Sequence, residues 1–448
     1  MAKPSSEQLV DAKIPGLRRS LGLFAVISLG LNGVIGQGIF LVPGKAAARM
    51  GPSALVALGL GGLLCFCLAL CFAEVGSQFK GTGGAYLYAR ETFGEFVGFE
   101  VGWMTCCVAV IAWATLSNGF TLVLSEFLPA VASGWPQKLT IATLVTGLCA
   151  INLRGAKSGA AVVKFFTVAK LVPIVIFVLM GAFFMESGNF QPFAPHGMEP
   201  LAETTMILLY AFVGFETMVV PAGEMNDPQR SVPLALFAVL TICTVIYIGV
   251  FAVAIGTLPG LAGNKNPIAE ASANFMGPAG GTLIAAGIVL SVFGTNSGAA
   301  LVSPRRFFAP GERGDLPALF ARVNPDTGAP VPAIAITWLG TLAIALSGSF
   351  EQLLVLGVVA RFAQYIPTTI AVLVLRRRRP AHLTEAGYRI PFGPVIPAVT
   401  LGLCAWLLWH TDPKKLAYGG CALLLGIPLY FIARARRPKA ESRSTNKA

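Results

Sequence analysis

The sequence predicts an all-α polytopic membrane protein with twelve transmembrane helices. Its 448 residues are 55% hydrophobic and only 12% charged, and a mean hydropathy of +0.72 is far above that of soluble domains. Runs of about 17–25 apolar residues, the length that crosses a bilayer, recur from end to end. Two of these runs are interrupted near their middles by glycine, one at Gly36-Gln37-Gly38 and the other at Gly214.

The predicted spans follow one another with short connections. In chain order they cover about 20–43, 53–76, 97–125, 138–152, 162–185, 204–223, 233–257, 281–303, 332–347, 352–375, 394–410 and 416–433. Most of the 33 lysine and arginine residues fall in alternate connections, on the same side as the two chain ends. Because cytoplasmic segments are enriched in these residues, we expect a protein of the cell (inner or plasma) membrane whose tails, 1–19 and 434–448, are both cytoplasmic.

The spans fall into two sets of five within a single transmembrane domain, 1–448. Spans 1 to 5 (20–185) and 6 to 10 (204–375) are similar in length, and each set opens with an interrupted span. Because five is odd, the second set is inverted relative to the first, and spans 11 and 12 (392–433) are an addition. Breaks at matching positions of an inverted repeat predict a binding site near the bilayer midplane.

The composition argues against several other classes of protein. A formal net charge of +12 would suit nucleic-acid binding, but the basic residues stand at the ends of spans, where they set topology and attract anionic lipid. The nine cysteines and three histidines form no CxxC or Cys/His pattern, so neither a metal ion nor a cofactor is predicted. No Ser/His/Asp set or glycine-rich phosphate loop is recognisable, which argues against an enzyme.

Four stretches of the sequence resemble one family of membrane proteins. They are 36–40 in span 1, 73–77 with 83–88 and 93–94 after span 2, 211–216 with 226–233 in and after span 6, and 316–317 with 323–325 and Pro330 after span 8. Over nearly its whole length the chain resembles amino acid permeases of the amino acid-polyamine-organocation (APC) family, which implies the fold of LeuT-type carriers. Gln37 departs from the family pattern, which usually has serine or alanine there, and Lys80 stands where proline is common.

The breaks suit the binding of an amino acid. A half-helix that begins at a break presents unpaired amides and a positive dipole end, and one that ends there presents carbonyls. The resemblance implies that the α-carboxylate binds the amides of Gln37 and Gly38, and the α-amine the carbonyls of Val34, Tyr210 and Val213. Glycine also permits close helix packing. Close packing would be enough to explain a single Gly-x-Gly sequence, whereas two breaks at matching positions favour a substrate-binding site.

The full set of predicted substrate-binding residues extends around both breaks and onto span 8. It comprises Val34, Ile35, Gly36, Gln37, Gly38, Tyr210, Val213, Gly214, Asn296 and Ser297. By resemblance the Tyr210 ring closes over the substrate from outside, although an ordinary buried aromatic is an equal alternative. Asn296 and Ser297 are chosen by position only, because polar residues in spans often hydrogen-bond between helices.

Three charged residues lie within predicted spans, where a charge is costly and indicates function by default. Lys170 matches a span 5 lysine of some APC carriers, whose ammonium replaces a sodium ion between spans 1 and 8, and we expect it to contact the first break and Thr295. Its alternative is snorkelling to the interface. For Glu216 the sequence leaves two roles open, the capping of free amides and the carriage of a proton. Arg361 is expected to have a structural partner.

Taken together, the sequence predicts a secondary carrier that moves amino acids by alternating access. Proton symport is the expected coupling, because a lysine in place of a sodium ion supplies a titratable group. Exchange of one amino acid or polyamine for another is the alternative. A channel-like or scaffold protein without coupled transport is disfavoured, since neither needs two broken helices.

Overall fold

The protein is built from α-helices, and the computed structural model describes residues 19, 21–264, 266–348, 350–378, 380–381 and 383–435. The helices are α1 (Leu23–Val34), α2 (Gly38–Met50), α3 (Ala54–Gly76), α4 (Ala85–Phe93), α5 (Glu95–Leu124), α6 (Gly134–Leu153), α7 (Ala156–Gly181), α8 (Leu201–Phe212), α9 (Pro228–Thr257), α10 (Pro267–Glu312), α11 (Val331–Ser347), α12 (Phe350–Arg378), α13 (Val395–Trp409) and α14 (Pro413–Ala435). The described residues contain no β-strand. The predicted tails, apart from residues 19, 434 and 435, lie outside them.

Several of the helices are long and apolar enough to cross a membrane. In the described part of the chain these are the segment Leu23–Gly76, which comprises α1, α2 and α3, and the helical segments Glu95–Leu124, Ser158–Phe184, Pro228–Thr257, Pro267–Glu312 and Leu416–Ala435; α11 and α13 are shorter apolar helices. The prediction of an all-α, multi-pass membrane protein is therefore confirmed at this level.

Both interrupted spans are broken, but in different ways. The first is divided into α1 and α2 by the non-helical residues 35–37. The second was predicted to continue to residue 223, and this is wrong for its second half. There α8 ends at Phe212, and only short 3₁₀ turns follow at Phe215–Thr217 and Ala222–Glu224. Gly214 has a φ of +115°, which an α-helix cannot contain, so the helix stops before it.

One helix is much longer than its hydropathy indicated. The span predicted at 281–303 is the central part of α10, which begins at Pro267 and ends at Glu312. It bends at Gly277, whose φ is +73°. The extension at its far end contains Arg305 and Arg306, which are buried although their charges ended the apolar run.

The broken helices lie at the centre of the molecule. α10 packs along α7 and α5, α9 packs along α1 and α3, and α8 packs against α2 and α3. α7 shows how an outer helix is divided between lipid and protein: Phe165, Val168 and Val172 are exposed on one side, whereas Thr167 and Lys170 are buried on the other. The helical period of 3.6 residues separates these faces, and it directs Lys170 towards the breaks.

Candidate functional site at the two helix breaks

The first break leaves a row of amides at the start of α2. The Ile35 amide still donates to the Leu31 carbonyl (2.9 Å) and the Gly36 amide to the Val34 carbonyl (2.8 Å). From Gly38 onwards a new helix begins, and the first amides of a helix have no carbonyl one turn earlier within it. The N-terminal end of α2, with its positive dipole, therefore points into the break.

The backbone of the second break touches that of the first. Val213 is extended and Gly214 turns the chain back. A Cβ atom on Gly214 would lie 2.3 Å from the carbonyl oxygen of Gly33, and one on Gly33 would lie 3.2 Å from the Gly214 oxygen. Only glycine permits so close an approach, so the two glycines place both breaks at one point.

Tyr247 on α9 links the ends of the two half-helices. Its hydroxyl lies 2.8 Å from the Val34 carbonyl and 2.8 Å from the Ala211 carbonyl. The Val34 carbonyl, predicted to bind the α-amine, thus accepts bonds from Tyr247 and the Gly36 amide in this conformation. Sequence reasoning missed Tyr247, because a single tyrosine in an apolar span gives no signal of a contact with a distant break.

A cavity of about 70 Å³ lies where the breaks meet, which is room for a few water molecules. The predicted substrate-binding residues that line it are Val34, Gly36, Gln37, Gly38, Tyr210, Val213 and Gly214. Further lining residues come from α5 (such as Thr115), α10 (such as Thr295) and α12 (Arg361). The structure thus brings residues of both breaks to one space.

Three predicted binding residues do not line this cavity. The Ile35 carbonyl instead accepts bonds from Lys170 and Thr295. Asn296 bridges α10 to α5 through the Leu116 carbonyl and the Ser117 hydroxyl (3.1 and 3.0 Å). The Ser297 hydroxyl donates to the carbonyl of its own helix at Gly294. The helical period explains the difference, because Thr295, Gly298 and Ala299 face the cavity while 296 and 297 lie on the other sides of α10.

Gln37 fixes the position of the Tyr210 ring. Its Nε2 donates to the Tyr210 hydroxyl (2.7 Å) and to the Thr115 carbonyl (3.1 Å). A Cβ atom on Gly119 of α5 would lie 1.8 Å from Oε1 of Gln37, so the missing side chain at 119 provides the space that the glutamine occupies. The departure of Gln37 from the family pattern is therefore accommodated by the partner helix.

Lys170 is completely buried and reaches the first break. Its Nζ donates to the Ile35 carbonyl (2.6 Å), to the Thr295 hydroxyl (3.0 Å) and, at 3.4 Å, to the Asn32 carbonyl. These three acceptors match the three donors of an ammonium group. The contacts expected with the first break and with Thr295 are present. Snorkelling is excluded because the side chain points inwards.

Glu216 stands at the second break and forms a buried charge cluster. Its Oε2 accepts a bond from the Gly214 amide (2.9 Å), which is the capping contact. Its Oε1 accepts from Nε of Arg361 (2.9 Å) and lies 4.0 Å from Nη2 of Arg306, and the Tyr365 hydroxyl donates to Oε2 (3.2 Å). Two guanidinium groups stabilise the ionised carboxylate, so the geometry favours capping and charge pairing over proton carriage. Arg361 has the structural partner expected of it.

The described residues also limit what else the site can hold. They contain no group of three His, Cys, Asp or Glu side chains close enough together to bind a metal ion. The chemistry available at the breaks is hydrogen bonding by amides and carbonyls, together with three buried cations and one carboxylate.

Comparison with known proteins gives a consistent result. A family model described as amino acid permease matches residues 21–419. The chain is 30% identical to a methylthioribose transporter of Bacillus subtilis, with 96% of each chain covered. It is 30% identical to a serine/threonine exchanger, SteT, of the same organism, with 94% of this chain and 98% of the relative covered. It is 27% identical to the B. subtilis branched-chain amino acid permease BcaP over 98% of each chain.

Proposed function

The chain belongs to the amino acid permease family and is a transporter rather than an enzyme, and from this premise we propose that it is a secondary carrier. It moves amino acids across the cytoplasmic membrane by alternating access, with proton symport as its coupling. One observation supports this above all others: the two breaks, far apart in sequence, line a single cavity. A channel or a scaffold has no need of this arrangement.

The proposed architecture has twelve spans in a five-plus-five inverted repeat, 20–185 and 204–375, with both termini in the cytoplasm. The breaks of α1/α2 and of α8 begin the two repeats. The touching backbones of Gly33 and Gly214 support a site at the repeat interface, where carriers of this kind bind their substrates.

The substrate's α-carboxylate is proposed to bind the amides of Gln37 and Gly38 at the positive end of α2. Its α-amine binds the carbonyls of Tyr210 and Val213, and that of Val34 when Tyr247 releases it. Because the cavity of about 70 Å³ is far smaller than an ordinary ligand pocket, the helices must separate to admit an amino acid, as alternating access requires.

Coupling is assigned to Lys170. Its protonated ammonium holds α7, the first break and α10 together through Ile35 and Thr295. Loss of the proton removes the positive charge and one of the three donors from these contacts and favours a state in which α1 is released, so that protonation and access are linked.

Exchange is the second candidate, and one relative is named as a serine/threonine exchanger. In an exchanger Lys170 stays protonated throughout the cycle, and a second substrate molecule drives the return step. Exchange of polyamines is disfavoured by the excess of buried cations at the breaks.

The test is uptake by the purified protein in liposomes. Each of the twenty amino acids, and methylthioribose because of the named relative, is offered as a competitor, with and without pH and sodium gradients. Accumulation of an amino acid driven by an inward proton gradient supports symport, and uptake that requires an internal amino acid supports exchange. Failure of every amino acid to compete would reject the proposed substrate class.

A further inference from the structure

Arg306 is a buried cation that the proposed cycle does not use. It lies on α10, is only 5% exposed, and lines the cavity together with Val302 and Ser303. Hydropathy alone assigns it to a loop, because its charge and that of Arg305 end the apolar run. In the structure the helix continues, and the guanidinium group turns towards the breaks.

The cavity has more positive than negative charge. Among the described residues, Arg306 and Arg361 line it and Lys170 lies directly behind the first break, whereas Glu216 is the one carboxylate paired with the two arginines. A buried charge without a counterion costs several kcal/mol in general. The site is therefore short of negative charge when no substrate is bound.

The hydrogen bonds show which of the arginines is least satisfied by its partners. Arg361 donates through Nε to Glu216 (2.9 Å) and through Nη1 to the Gly357 carbonyl (2.6 Å). Arg305, the neighbour of Arg306, pairs with both carboxylate oxygens of Glu224. Arg306 makes one long bond, from Nη1 to the Thr105 carbonyl (3.4 Å), and shares Glu216 at 4.0 Å. Most of its five donors thus lack an acceptor of their own.

The position of Arg306 relative to the breaks is also informative. Its Nη2 is 4.0 Å from Glu216, whose other oxygen caps Gly214, and Gly214 touches Gly33. Arg306 lines the same cavity as Gln37 and Gly38, the residues whose amides begin α2. The cavity has one anion-binding end made of helix amides and a second made of an arginine fork.

We infer that Arg306 binds a second carboxylate, that of the substrate's side chain, and that the carrier selects acidic amino acids. This inference rests on the proposed function and names the substrate class of the same site. The planar fork of arginine suits bidentate binding of a carboxylate. An ammonium or guanidinium side chain would meet Arg306 as a like charge and is rejected, and an amide side chain loses the charge-assisted bonds.

The experiment measures ligand binding to the full chain, purified in detergent, by the shift in its thermal unfolding with ligand concentration. L-glutamate and L-aspartate are compared with their amides L-glutamine and L-asparagine, and with L-lysine. Hydrogen bonds to a charged group contribute about 1.5–3 kcal/mol, so we expect the acid to bind at least about tenfold more tightly than its amide. L-lysine should give no shift.

Variants then assign the preference to one residue. Arg306→Gln should bring the acid-to-amide ratio of Kd values close to one, and Arg306→Lys, which retains the charge but not the fork, should give an intermediate ratio. Arg322→Gln, an exposed arginine in the loop after α10, is the matched control and should keep the wild-type ratio.

Two results would overturn the inference. Binding of the amides as tightly as the acids by the wild type refutes it while the proposed function stands, as does an unchanged ratio in Arg306→Gln. If Arg306→Gln does not fold, the wild-type comparison and Arg306→Lys decide. Absence of a shift with any amino acid, together with absence of uptake in liposomes, rejects the proposed function as well.

Discussion

Lys170 connects three parts of the molecule through one ammonium group. It extends from α7, and its acceptors are the first break and Thr295 on α10. A fully buried ammonium is stable in a membrane protein only when its donors are satisfied, and here they are satisfied by groups that alternating access would have to move apart. We therefore expect the charge state of this residue to depend on the arrangement of the helices.

The first prediction concerns Lys170→Ala. We expect this variant to fold and bind substrate but to lose proton-driven accumulation, because nothing then distinguishes the two states by protonation. The measurement is the ratio of internal to external amino acid in liposomes under a pH gradient, which should fall close to one.

Lys164→Ala is the control, since Lys164 is on the same helix but exposed and should leave accumulation unchanged. Wild-type accumulation by Lys170→Ala would refute the coupling role. A new requirement for sodium would indicate that a cation had entered the vacated place.

Glu216 gives a second prediction. As a simple cap it would tolerate glutamine, because the amide oxygen still accepts a bond from Gly214. The structure adds Arg361 and Arg306 as partners, and removing one member of a buried ion pair typically costs about 3–5 kcal/mol. Glu216→Gln should therefore lower the thermal unfolding temperature strongly. A variant with wild-type stability would show that the cluster contributes little, and a lost pH response without instability would restore the proton-carrier alternative.

The two breaks depend on glycine at their point of contact, which gives a third prediction. Gly214→Ala places a methyl group 2.3 Å from the Gly33 oxygen at a φ of +115°, so strain and overpacking should together cost at least about 2 kcal/mol. Both stability in detergent and substrate affinity should fall.

The matched control is Gly59→Ala on α3, where no atom lies within 4 Å of the new methyl group. Alanine is favoured over glycine in a helix by about 0.5–1 kcal/mol, so this variant should be as stable as the wild type or slightly more so. Equal stability of the two variants would contradict the close contact of the breaks.

The sequence predicted the helices better than the contacts between them. Apolar runs and glycine interruptions are local signals, so the positions of most helices and of both breaks could be read directly. The second half of the span at 204–223 was wrong because hydropathy does not register the turn at Gly214. The buried part of α10 was missed because Arg305 and Arg306 find partners only in the folded chain.

The same contrast between local sequence signals and contacts in the folded chain applies to the predicted site residues. Residues at the breaks were proposed from the breaks and from the resemblance to APC permeases, and Lys170 from its charge within a span and from the same resemblance. Asn296 and Ser297 were placed by position alone, and the rotation of α10 directs them away from the cavity. Tyr247 contacts residues 213 and 36 positions away in the chain, a relation that no local pattern encodes.

For the molecule as a whole, the distribution of basic residues predicts which connections face the cytoplasm, and this gives a fourth prediction. The segment after α7 should be external, and the loop between α10 and α11 internal. Single cysteines are introduced at Ser187 and at Asp326, both exposed, into a variant lacking native cysteines. On intact cells, a membrane-impermeant thiol reagent should label the cysteine at 187 but not the one at 326. Labelling at 326 without labelling at 187 would reverse the proposed orientation.

The fit of Gln37 against Gly119 couples the two positions under mutation. A side chain at 119 would displace the Gln37 amide group from its contacts with Tyr210 and Thr115, so we expect it to be better tolerated when residue 37 is smaller. A smaller residue at 37 with Gly119 unchanged leaves an unfilled space and removes the contact between Gln37 and the Tyr210 hydroxyl. We therefore expect the two positions to be epistatic, because the effect of a side chain at 119 depends on the residue at 37.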